Sequence, residues 1–363
     1  PDRRFRDPSS DEIAMLTLDS MKEEVMKQLH AGNLEISIVG DFDEAELEQS
    51  ILMYLGTVEP KPSLPLAGDA IAQCPTVCNP ALDERHQVWH LKDSDERACA
   101  YIAGVAPCRW GEFGRQQEPL VPMDAASIPS PPPPLAPGAT EEEVDRNREL
   151  RRQHPLYASA TLGLLSEMIN SRLFTTVRDT LGLTYDVSFE LSLFDRLPTG
   201  WFYVNVTSTP QKIKDAMMAS MRVLRSGSIQ PFTSRDLLRA KRTLITRHES
   251  DLKDNGYWLA LLTHIQSPAV PLKSVECLRD LTAMYESITV EDVYEAYNHF
   301  DFSDEATFTC IGTSGSEATL FDSPILQTRI AAKNTTSPPG GDVDPEAFLN
   351  AIKNFMDNMN SST

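Results

Sequence analysis

No run of about 18 apolar residues occurs in this 363-residue chain, so no membrane-spanning helix is expected. The opening residues, Pro1-Asp-Arg-Arg-Phe-Arg6, contain neither the apolar stretch of a secretory signal nor an initiator methionine. The chain is therefore expected to be a piece of something longer. Positive charge is scarce: 33 Lys and Arg stand against 53 Asp and Glu, a net charge of −20, which repels a phosphate backbone and disfavours nucleic acid as a partner. Solubility accounts for this acidity; a negative field that draws in basic peptides is the functional alternative. Six cysteines (Cys74, Cys78, Cys99, Cys108, Cys277 and Cys310) are too few and too irregularly spaced for a disulfide framework or a zinc ribbon, which points to a reducing compartment, with Cys310 read as core. Metal-binding histidine pairs are also missing. A zinc hydrolase needs two His ligands one helical turn apart and a carboxylate base. His86 and His90 have that spacing, but no Glu lies between them and the surrounding pattern is a strand; His248-Glu249 is an isolated dipeptide on a charged, solvated helix face. No catalytic metal site is expected in this chain.

What is present is most informative between Ser171 and Leu191. Ser171 is suited to cap a helix, Leu173, Val177 and Leu181 form a stripe at i, i+4 and i+8, and Gly182 supplies a left-handed stop. Tyr185, Val187, Phe189 and Leu191 then alternate with Asp186, Ser188 and Glu190, the pattern of a half-buried strand. Arg178 lies off the apolar stripe and Tyr185 opens the strand, so the reversal at Gly182 can bring a guanidinium and a phenol to one edge of the fold. Such a pair can hold a peptide carbonyl and donate to it. Alternatively, Tyr185 is the first core residue of its strand and Arg178 an ordinary surface residue.

This run resembles the arginine-tyrosine motif of the pitrilysin/insulinase-like zinc metallopeptidases. The blocks His154 to Val187, Arg239 to Glu249 and Tyr257 to Gln266 carry a longer likeness, which spans most of residues 1–60 and 86–315 and points to the organelle-processing branch of that family. The resemblance implies a metalloendopeptidase of the chloroplast stroma acting on unfolded, basic transit peptides. It implies that Arg178 binds the substrate backbone, that catalytic Tyr185 donates to the developing oxyanion, and that zinc is held by an N-terminal half of the same protein that is absent from this chain. The family's inverted His-x-x-Glu-His motif does not occur here.

Thr17-Leu-Asp-Ser-Met21 matches Thr289-Val-Glu-Asp-Val293, and Ile38-Val-Gly40 matches Cys310-Ile-Gly312, both at an offset of 272 residues. Each copy reads as a capped amphipathic helix followed by a strand ending in Gly, and a repeat this long signals a duplicated domain. In the first copy Leu18, Met21, Val25 and Leu29 form the helix stripe, Leu34, Ile36 and Ile38 the strand, and a helix over residues 43–55 with Leu47, Ile51, Tyr54 and Leu55 buried completes the unit. The organisation expected is an α+β chain: residues 1–60 are the C-terminal elements of a truncated metallopeptidase-like module, 61–85 a linker, and 86–315 a complete module with mixed or antiparallel sheet packed against helices. Residues 116–140 form a Pro-rich insertion with eight prolines, and 316–363 a polar tail with one helix over 345–358. The strands are expected at 86–92, 98–106, 185–191, 201–207 and 306–312, with helices at 155–170, 211–226, 234–253, 256–266, 273–286 and 290–299.

These readings converge on the C-terminal part of a metalloendopeptidase that supplies substrate- and oxyanion-binding groups but not the metal. The rival is a non-catalytic, metallopeptidase-like binding subunit of a processing peptidase. A scaffold docking partners on the polyproline run at 129–137 is a third reading, weakened by the lack of flanking basic residues.

Overall fold

The computed structural model describes residues 8–61, 85–92, 94–110, 113, 130–135, 138–195, 199–228, 231–263, 265, 273, 275 and 279–315. The expected tail helix, most of the expected linker and most of the Pro-rich insertion lie outside the described residues. No described helix is long and apolar enough to cross a membrane.

Residues 85–315 build a five-stranded mixed sheet from β1 (His86–Lys92), β2 (Arg97–Ala106), β3 (Asp186–Leu193), β4 (Gly200–Ser208) and β5 (Phe308–Gly315), in the order β1-β5-β2-β4-β3. β1 runs parallel to β5, and the other three pairings are antiparallel. This is the α+β architecture that the strand and helix patterns predict. The hairpin expected between 185 and 206 forms as β3–β4, with Val187 opposite Val206 and Phe189 opposite Val204. Alternation fixes which side is buried: Ala98, Ala100, Ile102, Phe202, Val204 and Val206 all enter the core, so a one-residue slip would expose every one of them. Gly104 sits opposite Phe202, where a Cβ would stand 2.6 Å from the ring, so only glycine admits the aromatic there.

Helices cover the buried side. They are α4 (Glu141–Gln153), α5 (Tyr157–Leu173), α6 (Ile213–Arg225), α7 (Ser234–Asp251), α8 (Asn255–Leu262), α9 (Leu281–Ser287) and α10 (Val290–Asn298), three further helices lying before β1. α5 is central: Leu162, Leu164, Leu165 and Leu173 are fully buried against the sheet and the neighbouring helices. Capping boxes at Thr140, Thr233 and Thr289 start α4, α7 and α10, each satisfying two otherwise orphaned backbone donors. The α10 box also reaches into the core. Asp292 takes the Thr289 amide at 2.8 Å, the Tyr157 hydroxyl of α5 at 3.0 Å, and a salt bridge from Arg151 of α4 at 2.9 Å. Three helices thus meet on one buried carboxylate.

Residues 8–61 form α1 (Ser10–Ala14), α2 (Leu18–Gln28) and α3 (Glu44–Tyr54), capped by Ser9, Thr17 and Asp43. Here two sequence expectations fail. The stripe of α2 is not buried, with Leu18 82% exposed, and α3 has no buried residue. Residues 34–38 are not a strand, because a strand exists only with a partner for its ladder and none of the described residues supplies one. Caps and local propensity are enough to set helices; they are not enough to set a strand.

Two further expectations are corrected. Cys310 is only partly buried, on the outward-facing side of β5, and among the described residues the buried thiol is Cys108; both are free, as is Cys99. His248 is 8% exposed, placed 3.2 Å from the Tyr257 hydroxyl, not on a solvated face.

Candidate functional site

The segment carrying Arg178 and Tyr185 differs from the short capped helix that the sequence suggests. α5 runs without a break from Tyr157 and passes at Phe174 into a π-helix, Phe174–Thr180, so Ser171 lies inside a continuous helix and caps nothing. The wider turn is visible in the bond from the Leu181 amide to the Thr176 carbonyl at 3.0 Å, five residues back. Widening shifts the side-chain period. Leu173 and Val177 stay in the core, while Leu181, expected on the same stripe, is 50% exposed, and Leu183 packs against the core in its place.

The reversal is firmly tied down. Gly182 adopts φ +59°, a left-handed conformation that costs other residues energy. The Gly182 and Leu183 amides bond the Arg178 and Val177 carbonyls, both at 3.1 Å. Lys212 Nζ donates to the Gly182 carbonyl at 3.3 Å, and the Ser208 hydroxyl donates to the Leu183 carbonyl. The Tyr185 amide donates to the Thr207 carbonyl at 3.0 Å, which anchors the strand entry on β4.

On this scaffold both head groups face solvent. Tyr185 is 69% exposed, and Arg178 is exposed with its guanidinium carbon 4.7 Å above the Phe174 ring, one turn earlier. Neither side chain makes a hydrogen bond or ion pair among the described residues, so their donors are available to a ligand. A guanidinium offers a rigid fork of N–H donors and a phenol a single O–H donor, a combination suited to carbonyl oxygens and to negative charge developing on them. Tyr185 precedes the strand rather than opening its buried face; Val187 and Phe189 take that role.

Four of the histidines, His86, His90, His154 and His248, have side-chain partners among the described residues. His86 Nδ1 lies 2.8 Å from Thr309 Oγ1, and His90 Nδ1 lies 2.9 Å from Thr313 Oγ1, across the β1–β5 pair. Burial lowers the pKa of His86. His154 is fully buried: its Nδ1 accepts the Leu156 amide at 3.1 Å, its Nε2 lies 3.4 Å from Asp280, and burial lowers its pKa against the opposing pull of that carboxylate. Among the described residues no group of three or more His, Cys, Asp or Glu side chains is placed to hold a metal ion. The described residues do not fit zinc.

The family model described as the peptidase M16 inactive domain matches residues 15–112 and 135–244, more than half of the chain. The chain belongs to this family. The match starts ahead of α2, takes in β1 to β4 and ends within α7. Curated relatives are the chloroplastic stromal processing peptidases of Pisum sativum, 48% identical over 318 residues, and Arabidopsis thaliana, 46% identical over 320 residues; each match covers 87% of this chain and 25% of the relative. The chain thus spans about a quarter of the length of these relatives. Among solved structures, a peptidase M16 inactive domain from Pseudomonas fluorescens is 18% identical with a TM-score of 0.53, covering 85% of this chain and 60% of that one. A protease from Helicobacter pylori is 14% identical with a TM-score of 0.56, covering 84% and 61%. These two likenesses concern the fold alone.

The sequence singled out Arg178 and Tyr185 as candidates and missed the π-helix that carries Arg178. The signal for it was the stripe ending in Leu181, an apolar residue with no core left to enter once the turn had widened.

Proposed function

We propose that this chain is the C-terminal part of a zinc metalloendopeptidase that removes transit peptides from precursors imported into the chloroplast stroma. Zinc and the water it activates belong to residues outside this chain; when bound there, the metal supplies the nucleophile. Here Arg178 holds a backbone carbonyl of the unfolded substrate, and Tyr185 donates its hydroxyl to the oxyanion that develops at the scissile amide. The observation that carries the reading is that Arg178 and Tyr185, both exposed and without hydrogen-bond partners among the described residues, flank one hydrogen-bonded bend in a chain 48% identical to a stromal processing peptidase. Residues 8–61 are then the last elements of a preceding module. The open stripe of α2 and the ladderless segment 34–38 are what such an element leaves when its neighbours are absent. The net charge of −20 favours basic substrates.

The test is Tyr185→Phe in the full-length enzyme, assayed by single-turnover cleavage of a fluorogenic transit-peptide substrate. Loss of one oxyanion donor lowers kcat by roughly 10²–10³-fold with little change in KM or in thermal stability. Unchanged turnover removes Tyr185 from the chemistry and returns the chain to the binding-subunit reading.

A further inference from the structure

Phe174 opens the π-helix and is 42% exposed, although Leu173 before it and Val177 after it are fully buried. Core packing therefore does not account for a ring at this position. Among the described residues Phe174 stacks on no other ring; the Arg178 guanidinium carbon stands over it, 4.7 Å from the ring centroid. A π-turn closes over five residues rather than four, so Phe174 and Arg178 fall within a single turn, one above the other. The backbone beneath them is fixed, by burial of Leu173 and Val177 and by the Gly182 amide, which donates to the Arg178 carbonyl at 3.1 Å. What remains free is the long arginine side chain, and an exposed arginine loses much rotamer freedom when it grips a ligand. A stacking partner ordered in advance removes part of that cost. The kind of partner matters. The chain carries 53 Asp and Glu, and Asp179 follows Arg178 directly, yet Arg178 pairs with no carboxylate among the described residues. A carboxylate would occupy the guanidinium fork, whereas a ring attracts the cation through its face and takes none of the N–H donors.

We propose that Phe174 is a positioning residue of the candidate site: its ring holds the Arg178 guanidinium in place with every donor left for the backbone carbonyl of the substrate. This rests on the reading of Arg178 as the residue that binds that backbone. Phe174 acts through Arg178 and not on the reacting atoms, so its effect falls on substrate binding and not on the chemical step.

The experiment measures kcat and KM of the full-length enzyme on the fluorogenic transit-peptide substrate, with thermal unfolding of each variant as the check that the fold persists. Phe174→Leu keeps an apolar side chain and removes the ring face; KM is expected to rise about two- to fivefold, the range of an exposed cation–ring contact, with kcat changed less than twofold. Phe174→Trp restores a ring face and should return KM to within about twofold of wild type. In an Arg178→Met background, which by itself raises KM, Phe174→Leu should add nothing further, because the ring then has no cation to hold. An unchanged KM in Phe174→Leu, a Phe174→Trp variant no better than Phe174→Leu, or a fall confined to kcat overturns the proposal. So does a KM increase of the same size in the Arg178→Met background, since the ring then meets the substrate itself. The two readings fail distinguishably. Unchanged kinetics in Arg178→Met remove Arg178 from substrate binding, and Phe174 with it; impaired Arg178→Met beside wild-type Phe174→Leu removes the positioning role alone.

Discussion

Replacing Asp292 with Ala probes what ties the helices over the sheet. Asp292 and Arg151 are 1% and 3% exposed at their side chains and 2.9 Å apart. The substitution strands a buried guanidinium, leaves the Tyr157 hydroxyl without its acceptor, and removes half of the α10 capping box. A buried charge stripped of its partner costs about 3–5 kcal/mol, and the lost tyrosine hydrogen bond adds about 1 kcal/mol. Because the losses share one site they do not add fully, and a total of about 4–5 kcal/mol is expected. That is a large part of the 5–15 kcal/mol typical of a whole domain. In urea, monitored by circular dichroism, the midpoint should fall by roughly 2 M for a slope of about 2–3 kcal/mol per molar. The triple variant Arg151→Met, Asp292→Leu, Tyr157→Phe removes the charges and the hydroxyl together and should return to within about 1–2 kcal/mol of wild type. A cost below about 1.5 kcal/mol for Asp292→Ala, or a triple variant as unstable as the single one, would refute the view that an uncompensated buried charge dominates the loss.

Gly182→Ala meets open space around its Cβ, so its cost is the backbone strain at φ +59° alone, about 1 kcal/mol in the urea midpoint; no loss would mean that the bend is free to relax. The buried histidines set the acid side of the stability profile. Burial lowers His154, His86 and His248 below the unfolded value of 6.5, so the unfolded chain takes up protons first as pH falls, and stability is full above pH 6.5 and declines below it. Between pH 7.5 and 5.5 His154→Asn, which keeps an acceptor for the Leu156 amide, should lose less stability than wild type, by on the order of 1 kcal/mol. Equal losses in the two proteins would exclude His154 as a contributor.

The sequence alone determined the elements whose signals are local and periodic. β1 begins and ends where the run His86–Lys92 places it, and α10 is announced by Thr289 and Asp292 at capping-box spacing. β4 follows from the alternation of Phe202, Val204 and Val206 with Trp201, Tyr203 and Asn205. Arg178 and Tyr185 could be proposed together from the sequence because both lie within eight residues around the reversal at Gly182. Tertiary structure alone decided what depends on distant partners. The π-turn after Leu173 is set by the side chains that the core admits, as the exposure of Leu181 against buried Val177 records. The meeting of Arg151, Tyr157 and Asp292 joins residues far apart in the chain. Residues 34–38 carry an alternating strand pattern yet form no strand, because a helix closes its hydrogen bonds within itself and a strand depends on a neighbour to close them.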